Sequence, residues 1–319
     1  MKAVMCEAYG DHHGLVVKDV PAPQAPGPDE VQIDITARGI AFSDLVRIAG
    51  EYQDSTEPPF VVGGEGAGTI AAVGAAIDTL KVGDKVLCRG GCVESINVTA
   101  SGVTALPDEI DFEAAAAYGS NYMTAYQGLK LANIQQGETL LVHGAAGGVG
   151  LAAVDLGKLF GARVIATASS DEKLKIVKEF GADETINYTD GFREQVKALT
   201  SGLGADVIYD PVGGDVFDES MRCIAPFGRV LIVGFTSGRA ALAKTNHLLV
   251  KNASVIGYSI GSLRQLKPTL YKQYDDTLMD LLTNKRITPY VSHRFAMDDI
   301  VEAYQVLVDR KVIGKVIIT

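Results

Sequence analysis

One segment of this chain limits its possible folds more than any other, the glycine-rich run from residue 137 to residue 158, GETLLVHGAAGGVGLAAVDLGK. An apolar strand-like run meets a turn of small residues, which continues into an alanine- and leucine-rich helical pattern. The small residues have the spacing G/A-x-G-x-x-G, which suits a tight turn, close approach of a pyrophosphate to the backbone, and close helix–strand packing. The segment therefore predicts a dinucleotide site whose contacts are Ala145, Gly147, Gly148, Val149 and Gly150.

The end of the next strand indicates which dinucleotide binds. That strand, RVIAT, is followed by Ala168, about 20 residues beyond the glycines, where an NAD site usually has Asp or Glu for the ribose hydroxyls. A carboxylate would repel a 2′-phosphate, whereas the hydroxyl of Ser169 and the cation of Lys173 would accept one. The sequence thus favours NADPH over NADH. Ser169, Ser170 and Asp171 also suit a helix N-terminus, and the two roles are compatible.

The pattern along the chain predicts an α/β protein with two domains. Helical patterns of 10–15 residues separate apolar strand cores, as in a doubly wound parallel (Rossmann) sheet. The cores are LLVHG, RVIAT, ETINY, DVIYD, RVLIVGF and SVIGYS. Short alternating strands dominate both chain ends, which we expect to fold together. The predicted domains are therefore 1–115 with 256–319, the catalytic domain, and 116–255, the nucleotide-binding domain.

Composition excludes several classes of partner. The chain has 319 residues, and its apolar fraction of 47% and charged fraction of 21% are those of a globular protein. A net charge of −10 argues against nucleic acid or an anionic membrane as a partner. Four cysteines with no disulfide pattern, and no secretory or transmembrane segment, predict a cytoplasmic location.

Several segments together carry a family resemblance over essentially the whole chain. They are GETLLVHGAAGGVGLAAVDLGK, NYMTAYQGL, DPVGG and RKVIGKVII. With them, the chain resembles the zinc-free quinone oxidoreductase (ζ-crystallin-like) branch of the medium-chain dehydrogenase/reductase superfamily. Asp155 departs from the branch signature, which usually has Gln there. The resemblance implies a GroES-like catalytic domain, an active site where the domains meet, and a homodimer formed by edge strands such as Val255–Ser259.

The comparison is most informative where zinc-dependent relatives bind their metal. Those proteins have Cys in a G-x-C-x-x-D segment and His in G-H-E, but this chain has Ala41 and Gly64 at the two positions. Cys88 and Cys92, without a nearby His, fall short of a structural zinc site. No metal is therefore expected. The resemblance implies hydride transfer from NADPH to a quinone, or alternatively to the C=C bond of an α,β-unsaturated carbonyl or enoyl thioester.

The resemblance also suggests further cofactor contacts. It places Lys173, Tyr188 and Arg310 at the adenosine 2′-phosphate, although single charged residues more often lie on solvated surfaces. Thr124, expected at the start of a helix, and Phe235 correspond to positions near the nicotinamide. A hydroxyl that caps its own helix and an aromatic ring that packs in the core are the structural alternatives for these two.

On the acceptor side, the resemblance implies a pocket with Ala41, Phe42, Asp44 and Tyr52. The branch commonly has Asn at the position of Ala41. Phe42 could stack on a planar quinone, or it could be a core aromatic residue. Tyr52 matches a proposed proton donor of enoyl thioester reductases. It could instead bind a quinone carbonyl, or be a solvated loop tyrosine. Among the five histidines, His143 is expected to be a structural hydrogen-bonding residue.

Overall fold

The computed structural model describes residues 1–52 and 56–319, which form two compact units. Unit 1 consists of Met1–Gly119 and Pro289–Thr319, and unit 2 is Ser120–Thr288. Each unit has its own sheets.

The strands of the described residues are β1 (Lys2–Cys6), β2 (Leu15–Asp19), β3 (Glu30–Ile40), β4 (Phe60–Val61), β5 (Glu65–Val73), β6 (Lys85–Cys88), β7 (Ser95–Thr99), β8 (Val103–Ala105), β9 (Thr139–Val142), β10 (Arg163–Ala168), β11 (Glu184–Asn187), β12 (Ala205–Asp210), β13 (Ile224–Ile232), β14 (Ser254–Gly257), β15 (Val291–Phe295) and β16 (Lys315–Ile318). The helices are α1 (Phe42–Ile48), α2 (Phe112–Leu131), α3 (Gly148–Leu159), α4 (Asp171–Glu179), α5 (Arg193–Leu199), α6 (Gly214–Cys223), α7 (Thr245–Lys251), α8 (Ile260–Leu266), α9 (Pro268–Thr283) and α10 (Ile300–Val308). Within 1–52 and 56–319, none of these helices is both long and apolar enough to cross a membrane.

Unit 2 contains the parallel sheet that the apolar strand cores predict. Its order is β11-β10-β9-β12-β13-β14, with all neighbours parallel. Numbered from β9, this is the order 3-2-1-4-5-6 of dinucleotide-binding folds. Strands buried on both faces need continuous apolar runs, as in Leu140–Val142 of β9, which is fully buried. The order in which strands are added to the sheet reverses between the parallel neighbours β9 and β12. Ligands are therefore expected at the carboxyl ends of these two strands.

Unit 1 is rich in antiparallel strands, and both chain ends contribute to it. The sheet order is β15-β16-β3-β5-β6-β8, with β7 also paired to β3. The last strand, β16, pairs with β3 through Val316 and Ile40. The prediction that the chain ends fold together is therefore confirmed.

The boundary between the units differs from the predicted one at residue 256. The second unit extends to Thr288 because α8 and α9 pack with it. Tyr274 of α9 contacts Tyr126 of α2 edge to face, with ring centroids 5.0 Å apart. The backbone N–H of Thr288 also donates to Asp155 of α3. The segment after β14 forms helices and adds no strand to the parallel sheet, so the sequence pattern did not indicate that it belongs to unit 2.

Candidate nucleotide and acceptor sites

The glycine-rich turn lies between β9 and α3, at the carboxyl edge of the parallel sheet. Gly144 has φ +54°, in the left-handed region, and the N–H of Ala145 donates to Thr167 O at 3.0 Å. A Cβ on Gly150 would lie 2.3 Å from Gly144 O, so helix and turn are too close for a side chain there. The helix begins after Gly147 with no side-chain cap, which leaves backbone N–H groups for a ligand. These features fit the pyrophosphate of a dinucleotide.

Helix α2 borders the same turn. A Cβ on Gly148 would lie 2.5 Å from Nδ2 of Asn121, so the two helices meet closely at this point. Thr124 is half-buried and one turn beyond Asn121, on the same helix face. The prediction that Thr124 lies at the start of a helix is wrong. The helix begins at Phe112, because the alanine run 114–117 has high helix propensity.

The residues after β10 begin helix α4 and bring a hydroxyl group close to a lysine. The hydroxyl of Ser170 accepts from the backbone N–H of Lys173 at 3.4 Å, so Ser170 is the N-cap of α4. Nζ of Lys173 lies 3.5 Å from Oγ of Ser169. Ser169 therefore lies beside a cation while its neighbour caps the helix, so the predicted cap is confirmed and the phosphate contact stays a prediction.

A third predicted phosphate residue lies beside this pair. Strands β10 and β11 are parallel, with Ala168 opposite Asn187, so the next residues, Ser169 and Tyr188, leave the sheet side by side. No carboxylate ends β10. Arg310 belongs to unit 1, where it is exposed and has φ +55° just after α10. Its contribution to a phosphate site stays a prediction.

Two loops pack together at the carboxyl ends of β12 and β13. Oδ1 of the buried Asp210 accepts from the N–H groups of Val212 (2.8 Å) and Gly213 (3.0 Å), which shapes the DPVGG turn. Burial raises the pKa of Asp210. Phe235 is 39% exposed, and its Cδ1 lies 3.0 Å from the position of a Cβ on Gly213. Phe235 is thus available to a ligand, which favours the nicotinamide role over core packing.

His143, within the turn, connects three elements beneath it. Its Nε2 is 2.8 Å from Oγ of Ser220, and its Nδ1 is 3.0 Å from Oγ1 of Thr167. Ser220 already donates its one proton to Val216 O, so it accepts from His143. The imidazole is therefore the Nε2–H tautomer, with Thr167 donating to Nδ1. Burial lowers the pKa of His143 to about 3, which confirms a structural rather than acid–base role at neutral pH.

In unit 1, the start of α1 holds a buried carboxylate. Oδ2 of Asp44 accepts from the backbone N–H of Ala41 at 2.8 Å, and the hydroxyl of Tyr304 lies 3.4 Å away. Burial raises the pKa of Asp44, although this backbone hydrogen bond opposes the shift. Asp44 therefore shapes the turn rather than facing solvent. Phe42, by contrast, is 40% exposed, which contradicts the core alternative for its ring.

The positions that carry metal ligands in zinc-dependent relatives meet at one sheet end. Gly39 of β3 is opposite Glu65 of β5, so Ala41 and Gly64 follow and precede neighbouring strands. A Cβ on Gly64 would meet no atom of the described residues within 4 Å. Beneath it, Nζ of Lys315 donates to Oε2 of Glu65, and this ion pair is almost fully buried.

Arg47 and Tyr52 form a contact that sequence reasoning missed. The guanidinium carbon of Arg47 lies 4.8 Å from the centroid of the Tyr52 ring, within cation–π range. Both side chains are half-buried. Tyr52 is therefore not simply solvated. Helical spacing gave no signal for this contact, because Tyr52 lies beyond the end of α1 at Ile48.

The four cysteines are reduced and buried. Burial raises the pKa of Cys88 and of Cys92 to about 12, so both are thiols at neutral pH. Within the described ranges, no three His, Cys, Asp or Glu side chains come together in a way that could hold a metal ion. The cytoplasmic location stays a prediction.

Comparisons with known protein families agree with both units. Residues 27–108 match the alcohol dehydrogenase GroES-like domain, and residues 148–282 match the zinc-binding dehydrogenase family. A quinone oxidoreductase-like protein 2 homolog of Nematostella vectensis is 41% identical over 325 aligned residues, which cover 99% of this chain and 88% of that protein.

Solved structures give the same result. Escherichia coli quinone oxidoreductase, solved in complex with NADPH, is 27% identical with a TM-score of 0.92, and the match covers 100% of this chain and 99% of that one. The CurK enoyl reductase is also 27% identical, with a TM-score of 0.89 and coverage of 100% and 98%. This chain therefore belongs to the quinone oxidoreductase branch of the medium-chain dehydrogenase/reductase superfamily.

Proposed function

We propose that this chain is an NADPH-dependent reductase that transfers hydride to a quinone without a metal ion. The observation that carries the cofactor assignment is the group of Ser169, Lys173 and Tyr188 after strands β10 and β11, with Ala168 rather than Asp or Glu at the end of β10. The quinone assignment is supported by the relatives named quinone oxidoreductase, of which one is solved with NADPH.

The chain's own residues would bind and orient the cofactor. The start of α3 would hold the pyrophosphate, and Ser169, Lys173, Tyr188 and Arg310 the 2′-phosphate. Thr124 and Phe235 would contact the nicotinamide. NADPH, when bound, supplies the hydride, and the protein positions the reacting atoms.

The acceptor residues suit a planar carbonyl compound. Phe42 is exposed and can stack on a ring, and the phenol of Tyr52 can donate to a carbonyl oxygen. Ala41 and Gly64 offer no metal ligand, so polarisation of a carbonyl must come from side-chain donors. The alternative is reduction of an activated C=C bond, which the similarity to an enoyl reductase favours. In that reaction Tyr52 would protonate the carbon next to the carbonyl.

The test is NADPH oxidation by the purified protein, followed at the nicotinamide absorbance, with naphthoquinone and crotonyl thioester assayed in parallel. We expect turnover with the quinone. Turnover with the thioester alone would replace the main proposal by its alternative. In that case Tyr52→Phe should abolish activity, whereas a quinone reductase that takes protons from water should lose less than about tenfold, the effect of one neutral hydrogen bond.

The same assay also tests whether Lys173 binds the 2′-phosphate of NADPH. Lys173→Ala should raise the KM for NADPH about 10- to 100-fold, because a hydrogen bond between charged groups is lost. The KM for NADH, which has no 2′-phosphate, should not change. Lys175→Ala is the matched control, since Lys175 is exposed on the same helix. Equal effects of Lys173→Ala on both cofactors would contradict the phosphate site.

We further propose that the protein is a homodimer, as the family resemblance implies. Strand β14 is the edge of the parallel sheet and pairs only with β13 in the described residues, so its outer backbone groups can pair with a second copy. Nearby Leu249 and Val250 are each 80% exposed. Light scattering should give twice the chain mass, and amide exchange at 254–257 should slow as protein concentration rises. A monomer mass at micromolar concentration would contradict the proposal.

A further inference from the structure

Arg47 is a half-buried cation without a carboxylate partner among the described residues. No Asp or Glu oxygen in 1–52 and 56–319 is an ion-pair partner of its guanidinium. Its Nε is buried and has no hydrogen-bond acceptor within the described part of the chain. By comparison, the similarly buried Arg229 binds Glu138 through two nitrogens, each at 2.8 Å. A desolvated arginine is costly unless an anion is available to it.

Two largely buried carboxylates of unit 1, Asp44 and Glu65, bind other groups. Asp44, one turn earlier on α1, accepts from the backbone N–H of Ala41, and the hydroxyl of Tyr304 is also directed at it. Glu65 is held by Lys315. The positive charge of Arg47 is felt at Asp44, where it lowers the pKa against the larger effect of burial. Arg47 therefore lies near enough to Asp44 to attract it, while the hydrogen bonds of Asp44 go to Ala41 and Tyr304.

The guanidinium of Arg47 lies over the Tyr52 ring. At 4.8 Å from the ring centroid, Arg47 lies over the face of a phenol that would contact the acceptor. Stacking on an aromatic face orients the donors of arginine and reduces the entropy lost when they bind an oxygen. Phe42, which is exposed on the same helix, would place a flat acceptor beside them.

We propose that Arg47 stabilises the anionic oxygen that develops on the acceptor during hydride transfer, an inference that rests on the proposed function. The hydride adds to the acceptor with its electron pair, and a conjugated carbonyl π pair moves onto oxygen. NADPH is thereby oxidised to NADP⁺ and the acceptor is reduced. One proton, from water or from Tyr52, completes the product. A preorganised cation that faces this oxygen lowers the barrier because the charge exists mainly in the transition state.

The first test compares Arg47→Met, which keeps the length but not the charge, with Arg47→Lys. We expect Arg47→Met to lower kcat about 10²- to 10³-fold, as loss of an oxyanion donor does. The acceptor KM and the NADPH Kd should change less than about threefold, because the ground state carries no such charge. Arg47→Lys should recover part of kcat. Arg286→Met is the control, since Arg286 is an exposed surface residue. Unchanged kcat in Arg47→Met would overturn the proposal.

The second test needs no turnover. Dinitrophenolate imitates the anionic oxygen, and dinitrobenzene is its uncharged counterpart; binding is measured by calorimetry with NADP⁺ present. Arg47→Met should weaken phenolate binding at least tenfold and leave dinitrobenzene unchanged. If the wild type binds the phenolate through Arg47 but reduces no acceptor, the proposed function fails, and Arg47 is an anion-binding residue without the catalytic part of this inference. Equal phenolate affinity in wild type and Arg47→Met would overturn it.

A third variant separates the chemical role from folding. If Arg47→Met is unfolded by circular dichroism, Arg47→Ala assayed with added guanidinium at non-denaturing concentration replaces it. Recovery of kcat by at least tenfold supports the proposal, because only the missing cation is restored. No recovery in a folded Arg47→Ala protein, with methylammonium also inactive, would count against it.

Discussion

Gly150→Val should reduce NADPH affinity at least 100-fold and destabilise the protein. Even the first added carbon would lie 2.3 Å from Gly144 O and 2.8 Å from the Cα of Ala145. Both are backbone atoms, so helix α3 or the turn must move, and overpacking of this kind typically costs about 1–3 kcal/mol or more. The helix propensity gained by replacing glycine, at most about 1 kcal/mol, does not offset this cost. Binding is measured by titration of NADPH fluorescence.

A graded series makes this prediction specific to the turn. A Cβ on Gly147 would meet only Gly144 O, at 3.3 Å, so Gly147→Ala should have a smaller effect than Gly150→Ala. Gly14→Val is the control, because a side chain at Gly14 would meet nothing within 4 Å. Equal NADPH affinity in Gly150→Val and wild type would show that the cofactor does not bind at this turn.

The second large effect concerns acid stability and His143. The folded protein keeps this imidazole neutral down to a pKa of about 3, compared with 6.5 for an ordinary histidine. Between these values the unfolded chain binds one more proton than the folded one, so stability falls as pH falls. The loss approaches about 1.4 kcal/mol per pH unit and amounts to roughly 2 kcal/mol between pH 6.5 and 4.5, because the unfolded imidazole is only half protonated at pH 6.5.

His143→Gln removes this titration and so isolates the effect. The variant should lose about 1–3 kcal/mol at neutral pH, because Thr167 and Ser220 then lack a well-placed partner. Its stability should nevertheless fall about 1.4 kcal/mol less per pH unit than the wild type below pH 6.5. Urea unfolding at several pH values measures both quantities. His13→Gln, at an exposed histidine, should keep the wild-type slope. A parallel slope in His143→Gln would contradict the lowered pKa.

Site features formed by residues that are close together in the sequence could be predicted well. The glycine-rich turn from Ala145 to Gly150 and the absence of Asp or Glu at position 168 depend on residues within one βαβ unit, where spacing determines position. The cap made by Ser170 is equally local. By contrast, the two partners of His143 are 24 and 77 residues away along the chain, and only the arrangement of neighbouring strands and helices brings them to the ring.

The acceptor residues show the same division. Ala41, Phe42 and Asp44 lie close together in the sequence at the start of α1. The identity of Ala41 alone already excluded a metal ligand at that position. The burial of the Glu65–Lys315 pair, which joins residues 250 positions apart, could not be predicted, because it depends on β16 returning beside β3. The contact of Arg47 with Tyr52 depends on how the loop after α1 turns back.

The sequence by itself determined the fold class, the six parallel strands and the glycine-rich turn, because hydrophobic periodicity and turn chemistry act over a few residues. Only the tertiary structure decided where unit 2 ends, which tautomer His143 adopts, and that Arg47 has no carboxylate partner within residues 1–52 and 56–319. Each of these depends on burial and on contacts between distant segments, and free energies of desolvation are set by the complete packed environment rather than by neighbours in the chain.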